Sequence, residues 1–402
     1  MAGQMSQADQ QAAMAAANMQ ARQLVVNSAV KRTQQIYSNT INTAAQTVLN
    51  IPPRNVGLIL GFIVNVRQTV TTTAGAALTL TPFGAANLVG QFAFFDLNNN
   101  TRIQTPGWHI NAINSVRGGI PYLAVDALST APSAYPVGYG SYYDQLINGT
   151  ATIATSASGT LNMTYFVPLA YSDTDLRGAV FANVVNATMN LQITLNQDLV
   201  AARTLAAWAN SAYCTATSGT AVSNTVESDA TVTVFQVYYD QLPQAKNGGP
   251  VLPWLDLQTV YDIKQTALQG VVAAQDFPIS YANYRDFLST CVYYVNKSDT
   301  AGAFGAVADL NYISLQSANY TEIFKVPPYI AATWARTTVG LDFPRSGFYI
   351  PTRNKPISTV QWGNINLILN AADVQTGAFV LVAWEAFALT NYVGQGGSLA
   401  AN

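Results

Sequence analysis

His109 is the only histidine in the 402-residue chain, so any Ser-His-Asp relay would have to be assembled around it. It stands in Gly107-Trp108-His109-Ile110, between aromatic and aliphatic neighbours, and reads as a structural histidine bonded to backbone. No Gly-x-Ser-x-Gly elbow accompanies it; Gly138-Tyr139-Gly140-Ser141 is part of a Tyr/Gly-rich loop. Asp173 and Asp175 offer the oxygen ligands that Ca²⁺ takes, but two carboxylates without a third read as turn residues or partners of Arg177. Cys214 and Cys291 lie far apart, without cysteine or histidine companions at metal spacing, and are expected to be unpaired thiols. A paired-carboxylate glycosidase stays open in principle, because such a pair is set in space rather than in sequence. The aromatic run Tyr135 to Tyr143 could stack on sugars and otherwise reads as an ordered interface loop. No Walker A loop and no complete Gly-x-Gly-x-x-Gly is present, so neither cofactor nor metal is expected.

The composition works against acid-base chemistry. Only 9% of the residues are charged, against about 25% in an ordinary soluble domain. A membrane span does not account for this: the most apolar stretch, Val56 to Val66, is far shorter than the roughly 20 residues a crossing helix needs. Asn, Gln, Ser, Thr and Tyr carry the polarity instead, and these cost less to desolvate than charges do. Such a surface suits permanent burial against copies of itself. The net charge of −2 hides an asymmetry, since Arg22, Lys31, Arg32, Arg54 and Arg67 fall in a stretch between Asp9 and Asp96 that holds no acid. That stretch could face something anionic. Bases so thinly spread, without interleaved aromatics, fall short of a nucleic-acid reader, and no direct nucleic-acid contact is expected. The N-terminus lacks the basic region of a signal peptide.

The elements that must position these residues are mostly strands. Residues 7–36 read as one helix capped by Ser6 and Asp9, with Met14, Ala17, Ala21, Leu24, Val25 and Ser28 as a weak apolar stripe. Its small side chains suggest an arm that packs elsewhere than on its own domain. Beyond Pro52-Pro53, Phe62, Val64 and Val66 alternate with polar residues, Thr231 to Tyr239 alternates likewise, and Phe379 to Trp384 is apolar on both parities. A second helix is expected over Leu255 to Gly270. An internal echo pairs Tyr165-Phe166-Val167-Pro168 and Asn190 to Asn196 with Phe348-Tyr349-Ile350-Pro351 and Asn364 to Asn370. Repeated strands with turn-rich connections predict two antiparallel sandwiches, divided near Gln241 to Pro253.

Several blocks resemble the major capsid protein of tectivirus-type phages, icosahedral viruses with a membrane inside the shell. They are FGAANLV (Phe83 to Val89), GWHINAINSVRGGIPYL (Gly107 to Leu123), VPLAYSDTDLRGAVFANV (Val167 to Val184), DQLPQAKNG (Asp240 to Gly248), LPWLDLQTVYDI (Leu252 to Ile263), DFPISYANYRDFLST (Asp276 to Thr290) and KPISTVQWGNINLILN (Lys355 to Asn370). Their number and order carry the resemblance, which thins around Gln197 to Asp229 and Ser298 to Pro328. It implies an all-β double jelly roll with an N-terminal helical arm. The expected division is 1–52 for the arm, 53–245 for the first jelly roll, 246–390 for the second and 391–402 for a tail. It further implies homotrimers with a pseudo-hexagonal footprint, contacts with neighbouring capsomers and with vertex and minor capsid proteins, towers raised by inserted loops, and assembly in the host cytoplasm. The arm would approach the internal viral membrane, with Arg22, Lys31 and Arg32 at the lipid headgroups. The expected function is therefore a shell protein without catalysis. A carbohydrate- or receptor-binding jelly roll, such as a lectin-like spike, is the alternative, and a β-sandwich hydrolase built on His109 is a third reading.

Overall fold

The computed structural model describes residues 6–42, 48–72, 78–80, 84–118, 152–153, 158–182, 188–196, 214–216, 225–266, 269–270, 275–295, 310–318, 322–339, 347–352, 356–371 and 379–388. Tyr135 to Tyr143 and the tail 391–402 lie outside these residues.

The chain begins with a helix, α1 (Gln7–Ser28), whose Ser6 cap accepts a hydrogen bond from the Asp9 amide. The expected helix to residue 36 stops short, because Val30, Thr33, Ile36 and Tyr37 belong to a strand. A first sandwich follows: β1 (Val30–Ile41), β2 (Val48–Ile51), β3 (Leu58–Thr72), β4 (Val89–Phe95), β5 (Thr101–Thr105), β6 (Ser158–Pro168), β7 (Asn190–Leu195) and β8 (Thr225–Asp240). β1 pairs with β8 and β2 with β7 within this sandwich. A second sandwich is built from β9 (Val260–Gln265), β10 (Asp276–Ser280), β11 (Arg285–Val295), β12 (Leu310–Ser317), β13 (Phe324–Val326), β14 (Gly347–Pro351), β15 (Ile365–Ala371) and β16 (Phe379–Ala388).

The strand orders repeat. The first sandwich stacks β1-β8-β3-β6 on β2-β7-β4-β5, and the second stacks β9-β16-β11-β14 on β10-β15-β12-β13, the same permutation carried out twice. This is the jelly-roll order, and the internal echo falls on equivalent strands: β6 with β14, and β7 with β15. Helices recur at the same place too, α2 (Gly107–Gly118) between β5 and β6, and a 12-residue helix, Pro328–Val339, between β13 and β14. The helix expected over Leu255 to Gly270 is a five-residue turn, α3 (Trp254–Gln258), followed by β9. Val260, Tyr261 and Ile263 are strand formers, and pairing with β16 on one edge and β5 on the other decides their state. The Pro328–Val339 helix is α4; a last short helix, α5 (Thr359–Trp362), precedes β15.

The sandwiches are fused. A short parallel pairing, Ile263 with Ile103 and Lys264 with Gln104, joins the second sheet of one to the first sheet of the other. One hydrophobic core runs through both, from Phe62 and Phe92 to Tyr261, Cys291, Tyr349 and Phe387. β16 shows why its sequence is apolar on both parities. Leu381, Ala383 and Phe387 enter this common core, while Val380, Val382, Trp384 and Ala386 fill the core of the second sandwich alone. A small three-stranded sheet of Leu78–Leu80, Thr152–Ile153 and Cys214–Ala216 ties together the connections β3–β4, β5–β6 and β7–β8.

Candidate functional site

The residues with catalytic potential are committed to structure. His109 is fully buried on α2, and its Nδ1 lies 2.7 Å from the Thr105 hydroxyl. The Asp175 carboxylate accepts from the Arg177 amide at 3.2 Å, from Nε at 3.0 Å to each oxygen, and from Nη2 to Oδ2 at 2.5 Å. Burial pushes its carboxyl up, but these bonds, the Arg177 charge and the charge of Arg22 outweigh it and hold the group below its ordinary value. Asp173 receives Lys31 Nζ at 2.5 Å. Among the described residues no group of three or more His, Cys, Asp or Glu is placed to hold a metal. Cys291 is a buried thiol, and the Cys214 side chain lies outside the described residues.

The arm is latched to the body through polar residues on one face of α1. Asn18 donates to Asp256 Oδ1 at 2.9 Å and accepts from the Leu255 amide at 2.9 Å. One turn on, Arg22 clasps the same carboxylate with Nε and Nη2, each at 2.5 Å. The Asp256 hydrogen bond, opposed by burial and supported by the charges of Asp256 and Asp175, raises the Arg22 guanidinium above its ordinary value. A further turn places Val25 among Leu58, Leu60, Val237 and Tyr239, where it is fully buried. The anticipated stripe docks only in part: Val25 is buried and Ala21 half-buried, while Met14 is 55% exposed and Leu24 45%. Lys31 and Arg32 form surface pairs with Asp173 and Asp240, the latter at 2.8 Å. No described helix is long and apolar enough to cross a membrane.

The second constellation seals the joint between the sandwiches. Glu385 projects from β16 with no exposed surface and accepts from Ser289 Oγ at 2.7 Å and from the Tyr261 hydroxyl. Arg117, at the end of α2 in the other sandwich, donates to the Tyr261 oxygen at 2.5 Å and lies 3.7 Å from the Glu385 carboxylate. Its guanidinium also stands 5.1 Å from the Tyr261 ring centroid and 5.3 Å from that of Tyr171. Gly178 links joint and latch: its amide donates to the Asp256 carbonyl and its own carbonyl accepts from Arg102 at 3.0 Å. With φ at +88° and a Cβ that would fall 2.5 Å from Tyr261 Cβ, this position requires glycine.

Sequence reading singled out Arg22 but not its partner Asp256, and it passed over Arg117, Gly178, Tyr261, Ser289 and Glu385. One signal was available, namely a lone glutamate inside the doubly apolar strand Phe379–Ala388. A carboxylate there has to find buried donors.

The arrangement joins the arm and the two sandwiches and stiffens them. Comparison with known proteins agrees with that reading. Residues 2–242 match the family model described as P3 major capsid protein N-terminal, and residues 258–401 match P3 major capsid protein C-terminal. The chain is 36% identical over 373 residues to major capsid protein P3 of Enterobacteria phage PRD1, covering 92% of this chain and 91% of that one. Among solved structures, a chain from Sulfolobus Turreted Icosahedral Virus has a TM-score of 0.61 at 15% identity, covering 90% of this chain and 92% of its own. PBCV-1 VP54, as fitted into a reconstruction of the virophage Sputnik, has a TM-score of 0.52 at 10% identity, covering 89% and 93%. Those two establish the double jelly-roll fold, while the family matches and the PRD1 relative establish kinship: the chain belongs to the P3 major capsid protein family.

Proposed function

We propose that this chain is the major capsid subunit of a membrane-containing icosahedral phage, that it associates as homotrimers, and that the trimers tile the shell as pseudo-hexagonal capsomers. The observation that carries the reading is the repeated strand order around one common core. Three chains built this way supply six similar sandwiches, which is what a six-cornered tile needs. The family match favours this over a carbohydrate-binding spike. The partition 53–245 and 246–390 is retained for the two rolls, with β1 and β2 added to the first. The three-stranded sheet of the inserted connections supports their role as outer towers.

The arm approaches the internal membrane in this reading. Lys31 and Arg32 make the headgroup contacts, because their side chains are 43% and 47% exposed and surface ion pairs worth about 0–1 kcal/mol exchange partners readily. Arg22 completes the latch beside them. Neighbouring capsomers and vertex and minor capsid proteins are the remaining partners, and the host cytoplasm is the site of assembly.

Light scattering on a sizing column across a hundredfold dilution tests the central point. A species of three times 42.9 kDa that persists on dilution is expected. A stable monomer would overturn the capsomer reading.

A further inference from the structure

We propose that Asn247 is a modification site, where the side-chain amide converts without an enzyme to aspartate and isoaspartate through a cyclic imide formed with the Gly248 nitrogen. Both residues belong to the linker between the two sandwiches. A bridge between Gln244 and Pro250 closes this linker into a small hairpin, inside which the Ala245 amide donates to the Gly249 carbonyl at 2.8 Å. Asn247 and Gly248 stand exposed at its tip. Gly248 has φ at +81°, the left-handed backbone that favours glycine, and a Cβ there would meet nothing within 4 Å beyond its chain neighbours. The attacking nitrogen therefore carries no crowding side chain, and the fold does not hem it in. Asn247 Oδ1 accepts from the Gly249 amide at 3.3 Å, which draws electron density from Cγ and holds the electrophile over the turn. One bond opposes the reaction, from the Gly248 amide to the Ala245 carbonyl at 2.9 Å. It lies in an exposed turn, where water replaces such a partner readily.

The step conserves its atoms. The Gly248 nitrogen gives its proton to solvent base as it bonds to Asn247 Cγ; the Cγ–Nδ2 bond breaks, and Nδ2 takes up a proton and leaves as ammonia. Water then opens the imide at one of its two carbonyls. Opening at Cγ leaves aspartate in an ordinary chain, and opening at the α-carbonyl leaves isoaspartate, with the chain running through Cβ and Cγ. Either product sets a carboxylate beside Lys246, and the iso form lengthens the linker backbone by one methylene. That linker runs through Pro253 directly into α3, whose Asp256 holds the arm. The turn Asn98-Asn99-Asn100 supplies the contrast. There the nitrogens that would attack belong to Asn99 and Asn100, both of which carry side chains. They donate to the Asp96 carbonyl and carboxylate, each at 2.9 Å, and the charged acceptor binds the more firmly.

The test ages the folded chain in mildly alkaline buffer, cleaves it after arginine, and follows the fragment 204–285 by mass and by isoaspartyl methyltransferase labelling. The fragment is expected to gain the mass difference between an amide and an acid and to accept methyl groups, with isoaspartate in excess of aspartate. The rate in the folded chain should lie within about threefold of that in urea-unfolded chain. Gly248→Ala should slow it at least tenfold, because a Cβ crowds the attacking nitrogen, and Asn247→Gln should abolish it. Fragment 68–102, which holds Asn98 and Asn99, should stay unconverted over the same interval. A folded chain that persists unconverted while the unfolded chain reacts overturns the proposal, since the turn then protects the amide. Conversion to aspartate alone, or undiminished conversion in Gly248→Ala, overturns the imide route. Equal conversion in Asn247→Gln puts the reaction elsewhere in the fragment and overturns the site.

Discussion

The outer faces of the two equivalent sheets, β9-β16-β11-β14 and β1-β8-β3-β6, share a strand order and differ in nearly everything else. The first is lined by Tyr261, Ile263, Leu381 and Phe387, and it closes over Glu385 inside a common hydrophobic core. The second carries Ser38, Thr40, Thr231, Thr233 and Asn65, hydrogen-bonded to one another at partly exposed positions. The difference follows from what each face meets. A contact within the chain forms as the protein folds, so it can be dry and can enclose a carboxylate whose donors arrive with it. The other face meets solvent, and polar groups satisfied by one another suit that state.

The comparison can be broken most severely at its sealed side. Glu385→Ala leaves the Arg117 guanidinium and the Tyr261 hydroxyl without their buried acceptor, and a loss of about 3–5 kcal/mol is expected in denaturant unfolding. Thr233→Ala on the open face should cost no more than about 0.5–1 kcal/mol in the same assay. Equal losses would erase the distinction. Gly178→Ala comes next: a left-handed backbone and a clash with Tyr261 predict about 2–4 kcal/mol, read as a lowered unfolding midpoint. Asp256→Ala should unlatch the arm at a cost of about 1–3 kcal/mol and open the chain to trypsin at Arg22 while the sandwiches stay folded. Protection of Arg22 in that variant would show that Val25 suffices.

A smaller effect is expected in acid. The Asp175 carboxyl is held below its ordinary value of 3.8, so its contribution is complete above that pH and is lost as pH falls through the depressed value. Asp262 works in the opposite sense. Burial raises it, against the pull of Lys264 and Arg285, so its ionised form weakens folding and the penalty is relieved as pH falls. Arg177→Ala should therefore move the onset of acid unfolding upward. Smallest of all is the response to reductant: Cys291 is a buried thiol, and no shift in melting temperature is expected.

Much of this architecture was legible in the sequence because it depends on local periodicity. The alternation at Phe62 to Val66 and the doubly apolar Phe379 to Trp384 each reappear in the burial of β3 and β16. The echo between Tyr165 to Pro168 and Phe348 to Pro351 marks equivalent strands of the two rolls. Legibility ended where pairing partners decide the state. Val30 to Ile36 continued a plausible helix until β8 claimed it, and Leu255 to Gly270 had helix ends but strand-forming residues between them. The site was less visible still, because Arg22 and Asp256 stand 234 positions apart and Tyr261 and Glu385 stand 124 apart.

The sequence by itself determined the class of the protein: low charge, two β-rich halves, punctuated echoes and ordered blocks that mark its family. These are properties of composition and short range, set by side-chain hydration and by the period of a strand. Only the tertiary structure decided which carboxylate holds the arm, which glycine lets latch and joint meet, and which face closes and which stays open. Burial and charge pairing depend on distances in space, and they act between residues that the chain order keeps apart.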